Sequence, residues 1–253
     1  MLVITLLLAA GFVFAETQSW YKLPKQPIPP LFGDLLIDRI STKNDVKPVS
    51  FSHWRHRLQF TCRVCHFELE FQMKKEATEI TEVDNRDGMF CGACHDGEKA
   101  FGHTEENCDK CHTGKLTTNI SLFKKIYRRM PRSEHGNRID WTEAVLRGRI
   151  RPVQSIYEDD FTPLPFDKTV KLEAILAMAP VSVFPHKAHT AWLDCANCHP
   201  HVFNIKKKAT KNLTMDSILQ GDFCGACHLN VAFPLDDCLR CHPTIDPKYM
   251  KSR

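Results

Sequence analysis

Outside its first 15 residues, the 253-residue sequence has no apolar run long enough to cross a bilayer, since a transmembrane helix needs about 20 consecutive apolar residues. We therefore expect a protein that does not span a membrane. Cysteine is absent from most of the chain, because all twelve cysteines lie in short motifs. None of them directly follows the apolar N-terminus, so we expect no lipid anchor there.

Every cysteine belongs to a Cys-x-x-Cys-His motif, which is typical of covalent attachment of haem c. The two cysteines form thioethers to the haem, and the following His ligates the iron as its proximal ligand. A zinc array would pair Cys-x-x-Cys units into four-ligand sites, and a disulfide framework would need no adjacent His. The sequence therefore predicts six haems, at Cys62-Cys65-His66, Cys91-Cys94-His95, Cys108-Cys111-His112, Cys195-Cys198-His199, Cys224-Cys227-His228 and Cys238-Cys241-His242.

Residues 1–15 are apolar and uncharged and end in Val13-Phe14-Ala15, a pattern typical of a cleaved secretory signal. We therefore expect export to the periplasm or the cell surface. The formal charge of +4 would be offset by the carboxylates of six haems, which argues against a nucleic-acid partner. The run Lys206-Lys207-Lys208 is expected to be a solvated face, with a docking patch for an acidic partner as the alternative.

The chain repeats itself, which indicates two copies of one structural unit. Phe51-Ser-His-Trp-Arg-His56 matches Phe184-Pro-His-Lys-Ala-His189, and Phe90-Cys-Gly-Ala-Cys-His95 matches Phe223-Cys-Gly-Ala-Cys-His228, at an offset of 133 residues. The predicted organisation is a signal peptide at 1–15, a Pro-rich arm at 16–50, unit 1 at 51–115, a linker at 116–183, unit 2 at 184–243 and a tail at 244–253.

Units of about 65 residues are too small to build an ordinary apolar core, so the haems are expected to form it. The predicted fold class is mostly irregular, with short α-helices and little β-structure around a haem core. In the linker, Asp140 is a suitable N-cap for a short helix through Trp141 and Leu146, and Pro152 would stop it.

Seven histidines lie outside the motifs and are candidates for the second axial position. The strongest are two pairs with i, i+3 spacing, which project both rings from one helical turn; these are His53 with His56 and His186 with His189. The others are His103, His201 and His135.

Phe-x-His-x-x-His followed by closely spaced Cys-x-x-Cys-His motifs resembles the class III cytochromes c, especially the three-haem cytochrome c7 type. The doubled unit resembles the three-haem repeat of long multihaem "nanowire" cytochromes. The resemblance implies that the first His of each pair ligates the haem of the next motif and the second His the haem of the following one. His53 would then face the His66 haem, His56 the His95 haem, His186 the His199 haem and His189 the His228 haem.

The third haem of each unit departs from that family pattern. The family places the last distal His shortly before the second motif, where this chain has Arg86 to Met89 and Leu219 to Asp222. For the His112 haem the nearest candidate is His103, and for the His242 haem it is His201. His135 could serve either haem, and Met215 is a thioether candidate.

We therefore expect a hexahaem electron carrier and not an enzyme. Its partners would be other cytochromes, an inner-membrane quinol-oxidising module or an extracellular acceptor. One alternative is a multihaem reductase with an open third haem, although no Cys-x-x-Cys-Lys motif occurs. Another is a subunit of a cytochrome oligomer or filament, docked through the arm at 16–50.

Overall fold

The computed structural model describes residues 23–173, 180–206 and 210–246. The predicted signal peptide, the start of the arm, Lys207 and Lys208, and most of the tail lie outside these ranges. None of the helices in the described ranges has the length and apolar character needed to cross a bilayer.

Short helices dominate the described chain, and the longest has eight residues. In chain order the α-helices are α1 (Arg39–Lys43), α2 (His53–Arg57), α3 (Glu82–Arg86), α4 (Cys108–Cys111), α5 (Ile120–Tyr127), α6 (Trp141–Leu146), α7 (His186–Thr190), α8 (Met215–Leu219), α9 (Gly225–His228) and α10 (Cys238–Cys241). Four 3-10 turns lie at Pro29–Leu31, Phe90–Ala93, Glu105–Asn107 and Cys195–Asn197, and a π-helical turn at Val64–Glu68. This confirms the predicted fold class of irregular chain with short helices.

Two small antiparallel sheets lead into the paired histidines. Strand β1 (Asp34–Ile37) pairs with β2 (Val49–Ser52), and β3 (Thr169–Leu172) pairs with β4 (Ser182–Pro185). Helix α2 starts directly after β2, and α7 directly after β4. Strand β1 and helix α1 lie in the predicted arm, and β3 lies in the predicted linker. Through the strand pairing, both segments pack beside the start of a unit.

The linker helix predicted from Asp140 is α6. The Asp140 carboxylate accepts a hydrogen bond from the Glu143 backbone N–H, as an N-cap residue does. The helix ends at Leu146, before Pro152, because Gly148 adopts a left-handed conformation with φ of 61° and turns the chain.

The apolar core joins unit 1 to the linker. Its buried members are Trp54, Phe123, Ile139, Trp141, Ala144, Ile150 and Trp192. Trp192 is the member of this cluster that belongs to unit 2, where Pro234 is a further fully buried apolar side chain. The remainder of the molecule is organised around a cavity.

Candidate functional site

A continuous cavity runs through the described structure. Its volume is about 4120 Å³, whereas a site for one small ligand is about 300–1,000 Å³. Eleven of the twelve motif cysteines line it, the exception being Cys195. Since protein interiors are otherwise close-packed with few voids, a space of this size and lining fits several large covalently attached groups.

The cysteines are not arranged as zinc or disulfide sites. No disulfide joins any two of the twelve, all of which lie in the described ranges. Within those ranges, no group of three or more His, Cys, Asp or Glu side chains could hold a metal ion.

The second motif of each unit is set by a close backbone contact. A Cβ on Gly92 would lie 1.8 Å from the Asn85 carbonyl oxygen at α3, and a Cβ on Gly225 would lie 1.9 Å from the Ile218 carbonyl oxygen at α8. The glycine of Phe-Cys-Gly-Ala-Cys-His is therefore required for the motif to pack against the preceding helix. The Phe before the first Cys is left-handed in both units, with φ of 47° at Phe90 and 51° at Phe223.

All six motif histidines donate a hydrogen bond from Nδ1 to a backbone carbonyl. In unit 1 the acceptors are Phe71 for His66 (2.7 Å), Phe101 for His95 (3.1 Å) and Lys47 for His112 (2.7 Å). In unit 2 they are Phe203 for His199 (2.7 Å), Phe233 for His228 (2.9 Å) and Pro180 for His242 (3.1 Å). This bond fixes the tautomer and leaves Nε2 available for a metal.

The paired histidines are anchored in the same way. His56 donates to the Ser52 carbonyl and His189 to the Pro185 carbonyl, both at 2.9 Å. His53 donates to the Gly33 carbonyl (2.6 Å) and His186 to the Lys168 carbonyl (2.8 Å). Gly33 and Lys168 each directly precede the first strand of a sheet, so the two sheets hold the orientation of the first His of each pair.

Two histidine pairs face each other at a spacing that suits one iron. The ring centres of His56 and His95 are 6.3 Å apart, and those of His189 and His228 are 6.2 Å apart. A metal–imidazole bond is about 2 Å, and the ring centre lies roughly 1 Å behind the bonding nitrogen. Two imidazoles on opposite sides of one metal would therefore have ring centres about 6 Å apart.

Burial keeps several of these imidazoles neutral. It lowers the pKa of His53 to about 3 and that of His228 to about 4, and it also lowers the pKa of His56, His66 and His189. The carbonyl acceptors at Nδ1 oppose these shifts only in part. Since a metal binds the neutral imidazole, these side chains are in the protonation state that ligation requires at neutral pH.

The three remaining histidines are placed differently. His201 is exposed and does not line the cavity. His135 has Nδ1 3.3 Å from Asp236 Oδ1 and Nε2 3.7 Å from Asp237 Oδ1, so both nitrogens face carboxylates. His103 lines the cavity, and burial and the nearby His95 lower its pKa. Their ligand roles stay predictions, as do those of the anchored histidines.

The cysteine pairs of successive motifs are neighbours. Burial raises the pKa of Cys65 to about 12, with Cys91 and Cys94 contributing, and raises that of Cys91 to about 11, with Cys111 contributing. It raises the pKa of Cys224 to about 11, with Cys241 and Cys198 contributing. The sites of each unit therefore follow one another in order.

The two units meet at the first motif. Burial raises the pKa of Cys227 to about 12, and the thiol of Cys62 in unit 1 adds to that shift. Asn197 Nδ2 donates to the His66 carbonyl at 2.9 Å. The fourth and fifth motifs thus lie against the first.

A buried arginine holds this junction together. Arg63 forms ion pairs with Glu68 and, at 3.2 Å, with Asp194, and its guanidinium also donates to the Gln154 carbonyl at 3.1 Å. It therefore connects unit 1, the linker and unit 2. Sequence analysis missed this network, because nothing in the local pattern around Arg63 indicates partners 90 to 130 residues away.

Comparison with known proteins gives one family match. The model of the family described as cytochrome c7 and related cytochrome c matches residues 49–113 and 182–243, which together make up half of the chain. No curated protein matches the sequence significantly.

Three solved structures match most of this chain, at low sequence identity and with low TM-scores. The C-terminal hexaheme fragment of GSU1996 is 23% identical, with 83% of this chain and 96% of that chain covered and a TM-score of 0.28. The dodecaheme cytochrome c GSU1996 is 23% identical, with 78% and 70% covered and a TM-score of 0.27. The N-terminal hexaheme fragment of GSU1996 is 22% identical, with 84% and 99% covered and a TM-score of 0.25. At these scores the superpositions do not bear on function.

Proposed function

The chain belongs to the family of cytochrome c7 and related cytochromes c, and from this we propose that it is a hexahaem cytochrome that carries electrons along a chain of haems. The observation that carries the proposal is the shared anchoring of ten histidines, each with Nδ1 on a backbone carbonyl and Nε2 available. Haem c supplies reversible one-electron redox chemistry when it is bound. The protein's own contribution is to attach, ligate and space the haems.

Each haem would be attached by one cysteine pair and ligated by the His that follows it. We propose His53 opposite His66, His56 opposite His95, His186 opposite His199 and His189 opposite His228. The spacing of the His56–His95 and His189–His228 rings supports two of these assignments directly. The electrostatic effect of His66 on His53 supports a third.

The candidate distal ligands of the third haem in each unit have unequal support. His103 lines the cavity and lies near Arg86 and Glu82 of α3, where the family carries its last distal His, which supports it as the ligand of the His112 haem. For the His242 haem, Met215 at the start of α8 lines the cavity, whereas His201 is exposed. His135 is engaged by two aspartates in the described structure, which argues against it.

The order of neighbouring cysteines supports a continuous route for electrons. It runs from the third site through the second to the first and crosses to the fifth at Cys62 and Cys227. The fifth site in turn neighbours both the fourth and the sixth. With both axial positions filled, the irons have no site for a substrate, so transfer would be outer-sphere. Other redox proteins or an extracellular acceptor would be the partners, and export to the periplasm or cell surface is proposed from residues 1–15.

The proposal is tested by intact mass and electron paramagnetic resonance of the oxidised protein. We expect the mass of six haems and low-spin signals from the ligated irons. His56→Ala and His189→Ala should each convert one haem to high spin, whereas the control His201→Ala should leave those two haems unchanged. Fewer than six haems, or unchanged spectra in both ligand variants, would contradict the proposal.

A second candidate function follows from the exposed position of His201. If Met215 does not ligate the His242 haem, that iron has an open position and could bind a small ligand, as a reductase requires. Carbon monoxide added to the reduced protein tests this directly. A spectral change that corresponds to one haem in six supports an open site, and no change rules it out.

A further inference from the structure

One half-buried cation at the junction of the units has no anionic partner in the described structure. Arg57 is the last residue of α2, and its Nη2 donates to the Val231 carbonyl of unit 2 at 3.1 Å. Its guanidinium carbon lies 5.2 Å from the centre of the Trp141 ring in the linker. Among the described residues, no Asp or Glu forms an ion pair with it, although it lines the cavity.

Arg57 lies between two attachment sites from different units. Burial lowers the pKa of its guanidinium, and the thiols of Cys62 and Cys227 are the neighbours that oppose this shift. The carbonyls of Asn230 and Val231 also approach Gly33, beside His53. The first motif of the chain, in unit 1, and the fifth, in unit 2, therefore lie beside the same charge.

The buried arginine of the junction, Arg63, shows why this is unusual. Arg63 is surrounded by the carboxylates of Glu68 and Asp194, so its charge is neutralised within the protein. Arg57 has one carbonyl acceptor for its five N–H donors. A charge partly withdrawn from water is costly unless it is paired, and Arg57 lines the space that the haems are proposed to fill.

Resting on the proposed function, we propose that Arg57 binds a haem carboxylate at the junction and raises the reduction potentials of the haems at Cys62-Cys65 and Cys224-Cys227. Haem carboxylates are the anions that would enter this cavity, and Arg suits a carboxylate because its donors are arranged as a fork. A fixed positive charge favours the reduced iron, which carries one positive charge less. Arg57 is thus a positioning and potential-setting residue for electron transfer between the units.

The repeat supplies a comparison within the chain. The residue at the matching position of unit 2, five residues before the first Cys of its first motif, is Thr190. Its hydroxyl donates to the His186 carbonyl within α7, so unit 2 has no charge there. We therefore expect the shift in reduction potential only where the first and fifth attachment sites meet.

The test is spectroelectrochemical titration of the haem-loaded full chain with Arg57→Gln, Arg57→Lys and Arg55→Gln. In the Gln variant we expect one or two of six potentials to fall so that the ratio of reduced to oxidised haem drops about tenfold at a fixed potential, which is 59 mV for one electron. The Lys variant keeps the charge and should recover most of the shift. Arg55 lies on the same helix but is exposed, so its variant should shift the potentials much less.

Intact mass is measured in parallel and separates the two proposals. Six haems with unchanged potentials in Arg57→Gln, or an equal shift of all six, would overturn the role of Arg57 while leaving the hexahaem proposal intact. Fewer than six haems in the wild type would overturn the proposed function itself. If the Gln variant loses haem, Arg57→Met keeps the contact with Trp141 and is titrated instead, with the same outcomes deciding.

Discussion

Unit 1 packs its Trp54 against the linker residues Phe123 and Trp141 in an apolar cluster, whereas unit 2 contributes Trp192 to that cluster and is otherwise built around the cavity. The histidine anchors nevertheless correspond one to one between the units. The two units therefore orient their histidines in the same way but differ in the packing that stabilises them. Unit 2 should depend on its haems for folding more than unit 1 does.

The largest expected difference between the units comes from removing one attachment site in each. Cys195→Ala with Cys198→Ala should remove one haem and unfold unit 2, because little apolar packing would remain. Cys62→Ala with Cys65→Ala should also remove one haem, but the cluster around Trp54 should persist. Limited proteolysis with the fragments identified by mass measures this, and equal resistance of both units would contradict the difference.

The connection between the units is the next largest effect. Arg63→Met leaves the Glu68 side chain buried and Asp194 half-buried without their cation, which should lower the free energy of unfolding by about 3 kcal/mol, the lower end for a buried pair. Thermal unfolding of the haem-loaded protein measures the loss. The triple variant Arg63→Met, Glu68→Gln, Asp194→Asn removes all three charges and should recover much of the stability; if it does not, lost packing and not unpaired charge is the cause.

The glycines of the second motifs should respond alike in the two units. Gly92→Ala and Gly225→Ala each place a Cβ against a carbonyl oxygen and should each lower the free energy of unfolding by about 1–3 kcal/mol. Ala226→Gly, one residue further along α9, is the control and should cost about 0.5–1 kcal/mol. Unequal costs at the two glycines would show that α3 and α8 do not support the motifs equivalently.

The smallest expected effect depends on pH and is confined to the sheet that leads into unit 1. Burial raises the pKa of Asp34 in β1 to about 7, and Ser52 and Arg55 offset this only in part. Because the unfolded carboxyl ionises near 3.8, stability is lost as pH rises from about 4 to 7. Asp34→Asn should therefore raise the free energy of unfolding at pH 8 by on the order of 1–2 kcal/mol. This is below the roughly 4 kcal/mol that the full pKa difference represents, because relaxation and a high effective dielectric constant reduce the cost of the charge. The gain should disappear near pH 4.

Thr169 starts β3 in the sheet that leads into unit 2, at the position that Asp34 has in β1 of the other sheet. Thr169→Val is therefore the matched control and should change stability by the same amount at both pH values. A pH-independent effect of Asp34→Asn would show that the carboxyl is ionised throughout.

Much of the site was predictable because it depends on local sequence. The six motifs, the paired histidines, the repeat and helix α6 each have a signature within a few residues. The Nδ1 acceptors do not, since a backbone carbonyl has no side-chain signature. Lys47 and Pro180, the acceptors for His112 and His242, are 133 residues apart, as are the first two motifs of the units, but their side chains are unlike and conceal the match.

The long-range contacts were unpredictable for a related reason. Arg63, Glu68 and Asp194 come together only when the two units dock, and no short pattern relates them. The strands β1 and β3 lie in segments that read as an arm and a linker, because each has only four residues. Their role in orienting His53 and His186 depends on the pairing with β2 and β4, which is seen only in the structure.

Main-chain anchoring also has a practical consequence for redesign. Gly33 and Lys168 perform the same task with different side chains, as do Ser52 and Pro185. The side chains of Lys168, Ser52 and Pro185 can therefore be exchanged without removing an acceptor, provided that the strand geometry is kept, whereas Gly33 has φ of 89° and must stay Gly. The surface charge around the paired histidines could be reprogrammed to attract a new redox partner while every imidazole keeps its orientation.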